Sequence, residues 1–208
     1  MDRIAPFREF IIEMTLLFGR KLPEQEVLAE VSILLKSLIS SSAWLPDSCA
    51  IPHPKYYQQY LLHGDPLERF SVVSFVWGPG QKSPIHDHGV WGLIGMLKGL
   101  EKGQRYRRMP NGCLEKEGRE QALYPGDIEK VGPEFGDIHC VRNALEDEAS
   151  ISIHVYGGNI GGVKRHIYDP VTGAMNDFVS GYSSDQTPNL WDRSELMREH
   201  LVANSRTP

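Results

Sequence analysis

Near the start of the chain, apolar residues recur at the three-to-four spacing of a helix: Phe7, Phe10, Ile11, Met14, Leu17 and Phe18. On a 3.6-residue repeat these side chains share one stripe, which predicts an amphipathic helix from Pro6 to Gly19, with Gly19 as its stop. A second helix is expected after it. Pro23 suits a first helical position, where a missing N–H costs nothing, and Glu24 and Glu26 suit the positive end of the helix dipole. Val27, Val31, Leu34, Leu35 and Leu38 then line one face, and "SLISSSAWLPD" closes the element.

From about residue 57 the rhythm shortens. "RFSVVSFVWGPG", "WGLIGMLKG", "KGQRYRRM", "LYPGDIEKVGPEFGD", "HCVRNAL" and "ASISIHVYGG" are β-rich runs punctuated by turn residues, with no helical pattern between them. This predicts a mainly β fold: a small antiparallel barrel, jelly-roll-like, with the N-terminal helices packed outside. The expected organisation is one domain over 1–208, with a helical extension over 1–45, a barrel core over 57–182 and a tail over 183–208. In that tail "GYSSDQTPNLWD" reads as a loop and "DRSELMREHLVAN" as a short surface helix capped by Asp192 or Ser194.

Composition narrows the partners. A formal net charge of −5 offers no basic footprint for a phosphate backbone, which argues against nucleic acid. The most apolar early run, "FIIEMTLLFG", is broken by Glu13 and is too short to span a bilayer, so no membrane partner is expected. Cys49, Cys113 and Cys140 are an odd set without CxxC spacing, which suits reduced thiols and a cytoplasmic location.

Candidate chemistry concentrates in "GPGQKSPIHDHGVWGLIGMLKG". On a strand, His86 and His88 face one side and Asp87 the other, a two-pronged imidazole clamp. An HxH pair alone is equally at home as two polar surface residues near a turn. Its flanks change that balance. Gly80, His86, His88 and Gly99, followed by Gly126, Pro133, Gly136, His139 and Asn143, resemble the two signature motifs of the cupin superfamily, with Gly92 in the slot that usually holds glutamate. With His86, His88 and His139 as its only protein ligands, a divalent ion would keep its full charge and open positions for an anionic substrate. Cys140, the strand neighbour of His139, is expected to face away as a small hydrophobe.

Within the cupins, the stretch from about Tyr57 to Tyr182 is most similar to the thiol dioxygenases, the cysteine dioxygenase family, in "SPIHDHG", "GDIHCVRN" and "SISIHVYGG". The resemblance implies an Fe(II) cofactor on the three histidines and a reaction in which a small-molecule thiol and O2 give a sulfinic acid. It also implies catalytic roles for Ser152, His154 and Tyr156, which period-two alternation sends to one side of a strand. Read alone, those residues are equally a buried polar row. Mammalian members link the tyrosine to a cysteine whose slot here is Gly92, so Tyr156 should stay a free phenol.

Substrate choice follows from a second departure. Cysteine-specific members hold the substrate carboxylate with an arginine whose slot in "YYQQYLL" is Gln59. An amide cannot replace a bidentate guanidinium, worth about 1.5–3 kcal/mol as charged hydrogen bonds. The glutamine-bearing bacterial branch is associated with 3-mercaptopropionate, which keeps the thiol and carboxylate and lacks the amine. Arg165, at the end of "GGNIGGVKR", is the candidate to hold that carboxylate, the alternative being a solvent-facing basic residue in a loop. His166 and Asn159 are lesser candidates, and Trp77 and Trp91 read as core or pocket wall. The resulting expectation is a non-haem iron(II) thiol dioxygenase favouring 3-mercaptopropionate, with a cysteine dioxygenase or a non-catalytic metal-binding cupin as alternatives.

Overall fold

Both apolar stripes at the N-terminus become helices in a computed structural model that describes residues 2–184 and 194–204. They are α1 (Ala5–Gly19) and α2 (Glu24–Leu38). Pro23 is not the first helical residue. Its backbone is extended at ψ 147°, and its carbonyl accepts the N–H groups of Glu26 and Val27, so it serves as the N-cap. At the other end of α2 the Trp44 indole N–H donates to the Leu38 carbonyl over 2.9 Å, and its ring stacks on Phe7 at 5.2 Å. That contact folds the two helices onto each other.

The strands are β1 (Gln58–Gly64), β2 (Ser71–Trp77), β3 (Ile85–His86), β4 (Gly92–Lys98), β5 (Glu101–Arg108), β6 (Leu114–Leu123), β7 (Ile128–Val131), β8 (His139–Asn143), β9 (Ser150–Tyr156), β10 (Arg165–Tyr168) and β11 (Met175–Phe178). A last helix, α3 (Ser194–Asn204), occupies the expected tail segment, while Asp192 and the Ser194 side chain lie outside the described residues. One antiparallel sheet runs β1-β2-β9-β4-β7 and the other β11-β10-β3-β8-β5-β6. The chain crosses repeatedly between them, as a jelly-roll-like barrel requires.

Burial explains why the runs read as they do. β2 and β9 are buried at every position and β4 at all but Lys98, so their sheet is covered on both faces. The inner face fills the barrel. The outer face receives α1 and α2, whose buried Met14, Leu17, Val31 and Leu35 share one apolar cluster with Val72, Leu93 and Val155. At Gly95 on β4 the approach is close: a Cβ there would lie 3.0 Å from Leu35 and 3.1 Å from Ile39.

Four strands carry no apolar alternation and were not expected: β1, β6, β10 and β11. β6 is charged and mostly exposed at the edge of its sheet, where pairing with β5 rather than burial makes it a strand. "LYPGDIEKVGPEFGD" yields only the short β7, because Gly126 (φ +89°) makes a turn whose N–H reaches the Met96 carbonyl. All three cysteines are free thiols, and no described helix is long and apolar enough to cross a membrane. Because Leu35 is fully buried between α2 and β4, Leu35→Ala should cost about 2–5 kcal/mol of stability, read as a lower denaturant midpoint at unchanged slope.

Candidate metal centre

One registered pair brings the ligands together: His86 of β3 stands opposite His139 of β8. β3 ends at His86, so His88 reaches the cluster from the bend just past the strand rather than from within it. The ring centroids are 4.9–5.0 Å apart in all three pairs, and one ligand atom from each imidazole lies within 4.8 Å of the others. His88 and His139 are buried and His86 is half-buried. The bend is pinned by Asp87, which points the opposite way. Its carboxylate accepts the His166 N–H at 2.8 Å, the Tyr168 hydroxyl at 2.8 Å and the His166 Nδ1 at 2.7 Å.

The rings are aimed by their outer nitrogens. Nδ1 of His86 lies 3.1 Å from the Pro84 carbonyl, and Nδ1 of His88 lies 2.9 Å from Asp137 Oδ1, which leaves Nε2 of each as the free lone pair. Asp137 also accepts the backbone N–H groups of His88 and Gly89, each at 3.0 Å. Burial alone would raise its pKa, but those hydrogen bonds outweigh burial and hold it below the usual carboxylate range. His139 is buried with no partner for Nδ1. Burial first, then the neighbouring imidazoles, presses the pKa of His86 and His139 down, so both offer neutral lone pairs at neutral pH. An unbonded buried imidazole beside two oriented ones is a donor set that fits a divalent cation.

Ser150, Ser152, His154 and Tyr156 share the inner face of β9. Ser152 Oγ is 2.8 Å from His154 Nε2, and His154 Nδ1 is 2.8 Å from the Tyr156 hydroxyl. The Tyr156 ring lies against His88, centroids 5.6 Å apart. Burial pushes its phenol pKa well up, so the hydroxyl keeps its proton. Gly92 stands directly opposite Tyr156, and a Cβ there would sit 2.8 Å from two of its ring carbons. The ring occupies the space a side chain would need.

Arg165 lies on β10, not in a loop. Ile167 opposes His86, so Arg165, two residues earlier, faces the same side. Its guanidinium is 4.7 Å above the Phe178 ring, Nη2 is 2.5 Å from Ser180 Oγ, and Nε is buried without a partner. Gln59 has inward register opposite Phe75, but its amide donates to the Gly181 carbonyl at 3.0 Å. His166 is bound to Asp87 on the outer side, and Asn159 accepts the Tyr182 hydroxyl at 2.5 Å. Trp77 stacks on Tyr57 inside the barrel, and Trp91 packs beneath the helices. Cys140 is half-buried, with its Sγ 3.9 Å from the Tyr106 hydroxyl and outside the histidine cluster. Sequence reasoning missed Asp137, although its place two residues before His139 in "GDIHC" was a usable signal.

No known family profile matches the sequence. Solved structures similar to it include a double-stranded β-helix protein from Klebsiella pneumoniae, at 22% identity and TM-score 0.42, over 55% of this chain and 89% of that one. Another is a cupin superfamily protein from Desulfitobacterium hafniense, at 13% identity and TM-score 0.40, over 52% and 84%. A third is a cupin barrel domain protein from Salinispora arenicola, at 19% and 0.39, over 54% and 83%. The structure itself defines the class: an antiparallel double-sheet barrel holding a three-histidine candidate metal centre.

Asp137 is the group that orients His88, so Asp137→Asn should weaken divalent-metal binding about 10- to 100-fold, measured by competition with a chelating indicator. An unchanged affinity in a folded variant would remove Asp137 from the site.

Proposed function

We propose that the protein is an iron(II)-dependent thiol dioxygenase, converting a small thiol carboxylate and O2 to the sulfinic acid, with both oxygen atoms ending on sulfur. The observation that carries this reading is Arg165, a guanidinium only 4% exposed, on the barrel face of His86, with no acidic partner among the described residues. Burial pulls its pKa down, yet a guanidinium stays charged at any physiological pH. A buried unpaired cation carries a desolvation cost of several kcal/mol, which a bound carboxylate relieves through a two-pronged hydrogen bond. A ligand anchored there leaves its other end free to turn toward the three imidazoles.

His86, His88 and His139 would hold the ion as neutral donors. When bound, iron(II) supplies the position where thiolate and O2 meet and lowers the thiol pKa. The chain's own residues do the rest. Tyr156, protonated and hydrogen bonded to His154, offers its hydroxyl to the substrate site. Tyr57, Phe75 and Trp77 form a stacked wall that keeps water out.

The same residues favour 3-mercaptopropionate over cysteine. An ammonium group needs an acceptor, and the acid whose charge reaches Arg165 is Asp87, turned outward to His166 and Tyr168. Asp137 is committed to His88 and Gly89. Burying an ammonium without a partner would cost more than cysteine's extra contacts return.

With an iron-loaded sample, an oxygen electrode should record one O2 consumed per sulfinate and a higher kcat/KM for 3-mercaptopropionate than for cysteine; no uptake with either thiol rejects the reading. Arg165→Met should lower kcat/KM roughly 10- to 100-fold, matching the loss of about 1.5–3 kcal/mol from a charged hydrogen-bonded pair, and mainly through KM. Tyr156→Phe should act the other way, lowering kcat more than it weakens thiol binding, and an unchanged kcat would exclude the phenol from the chemistry.

A further inference from the structure

On the barrel floor, beyond His154, a carboxyl closes the polar row of β9. Glu101, the first residue of β5, is 1% exposed and stands opposite Asn143 in register. Its Oε1 lies 3.2 Å from Ser150 Oγ, the Ser152 hydroxyl stands against the same carboxyl, and Oε2 is buried with no hydrogen bond. No basic residue pairs with it among the described residues. From β6 it faces Leu123; from β8 it faces Asn143, whose amide is committed to the carbonyls of Trp77, Gly78 and Glu148. From β7 comes only Glu129, a like charge already engaged by Arg105 of β5 itself.

We propose that Glu101 is a neutral carboxylic acid whose proton sets the direction of the hydrogen-bond chain Ser152–His154–Tyr156, and so decides whether Tyr156 turns a proton or a lone pair toward the substrate. The role of Tyr156 rests on the dioxygenase reading; the protonation state and the direction of the chain do not.

The direction follows from counting protons. A neutral imidazole has one N–H, so His154 donates to Ser152 or to Tyr156 but never to both. Burial holds His154 below its usual pKa and keeps it neutral. If Glu101 is an acid, its O–H donates to Ser152, the Ser152 hydroxyl donates to Nε2, Nδ1–H donates to the phenol oxygen, and the Tyr156 proton is free to point into the site. If Glu101 is a carboxylate, Ser152 donates to it instead. Nε2 must then carry the proton, Nδ1 becomes an acceptor, and the Tyr156 proton is drawn back toward His154. The switch moves the imidazole proton from Nδ1 to Nε2 and releases one proton from Glu101, with no change in oxidation state. Desolvation raises the Glu101 pKa to about 8, against the opposing hydrogen bonds from Ser152 and Ser150. Glu101 is therefore a positioning residue that acts through three others.

Nitrogen-15 NMR of the imidazole in the full-length, metal-free protein tests this without any turnover. His154 should be the Nδ1–H tautomer at neutral pH and switch to Nε2–H as the pH passes about 8. Glu101→Gln, whose amide N–H donates to Ser152 at every pH, should hold the Nδ1–H form throughout. An Nε2–H tautomer at neutral pH, or a switch that survives in Glu101→Gln, overturns the proposal. Should that variant not fold, Ser152→Ala serves instead: it cuts the chain, and a His154 tautomer that still follows the same titration is equally fatal. In loaded enzyme, the loss of oxygen uptake on the alkaline side should disappear in Glu101→Gln. Absent oxygen uptake in wild type would sink the dioxygenase reading and leave the NMR result standing.

Discussion

The pairing of His86 with His139 is the constraint on which the site depends. A one-residue slip would turn His139 to the outer face and bring Cys140 inward, because strand side chains alternate. β3 is only two residues long and cannot hold its register by its own ladder. Its neighbours hold it. On the β8 side the Ser83 N–H donates to the Val141 carbonyl at 2.9 Å, and Ser83 Oγ accepts the Val141 N–H at 3.0 Å. On the β10 side Asp87 ties the bend to His166 and Tyr168. Ser83, Asp87 and Tyr168 thus set the geometry of the imidazoles from outside the cluster.

From that geometry follows the charge balance of the barrel. His86 and His139 are held neutral, the buried Arg165 guanidinium has no acidic partner among the described residues, and the carboxylate beside the cluster, Asp137, is turned to Nδ1 of His88. At Gly92 the Tyr156 ring fills the space that a side chain would need. Substituting glutamate there would do more than add a ligand: it would evict the phenol. A side chain at position 92 and the buried phenol of Tyr156 therefore exclude each other.

The helices were legible because each buries a periodic face, β2, β4 and β9 because they are continuous apolar runs between turn residues, and the histidine triad because its residues lie in two compact motifs. β1, β6, β10 and β11 were not legible, since their hydrogen-bonding partners rather than their side chains make them strands. Arg165 shows the same limit at the site: "GGVKR" reads as a loop, and only its pairing through Ile167 with β3 reveals that the guanidinium faces inward. Asp137 reaches His88 from the segment ahead of β8, and Glu101 of β5 meets Ser150 of β9 in the other sheet; such contacts leave no periodic trace. Motif residues announce the histidine cluster; the groups that aim its rings depend on tertiary packing.

The two sheets divide the work. Ser152, His154 and Tyr156 stand on β9, the middle strand of the sheet, whose outer face is sealed by α1 and α2 and whose every residue is buried. Such a strand has the least freedom to open locally, which suits a hydrogen-bond chain that fails if one link moves by an ångström. Arg165 stands on β10, next to the short and largely exposed β11 at the edge of the other sheet. Among the described residues its hydrogen-bond partner is Ser180, in the segment where Gly181 and Ser183 bond to Gln59 of β1. The group that would grip the ligand is thus mounted on the less constrained side and tied to the 180–183 segment, whereas the groups that would act on it are fixed in the covered sheet. Changes to the 180–183 segment should therefore alter which anion is held before they alter the chemistry, because they reach Arg165 directly and Tyr156 only across the barrel.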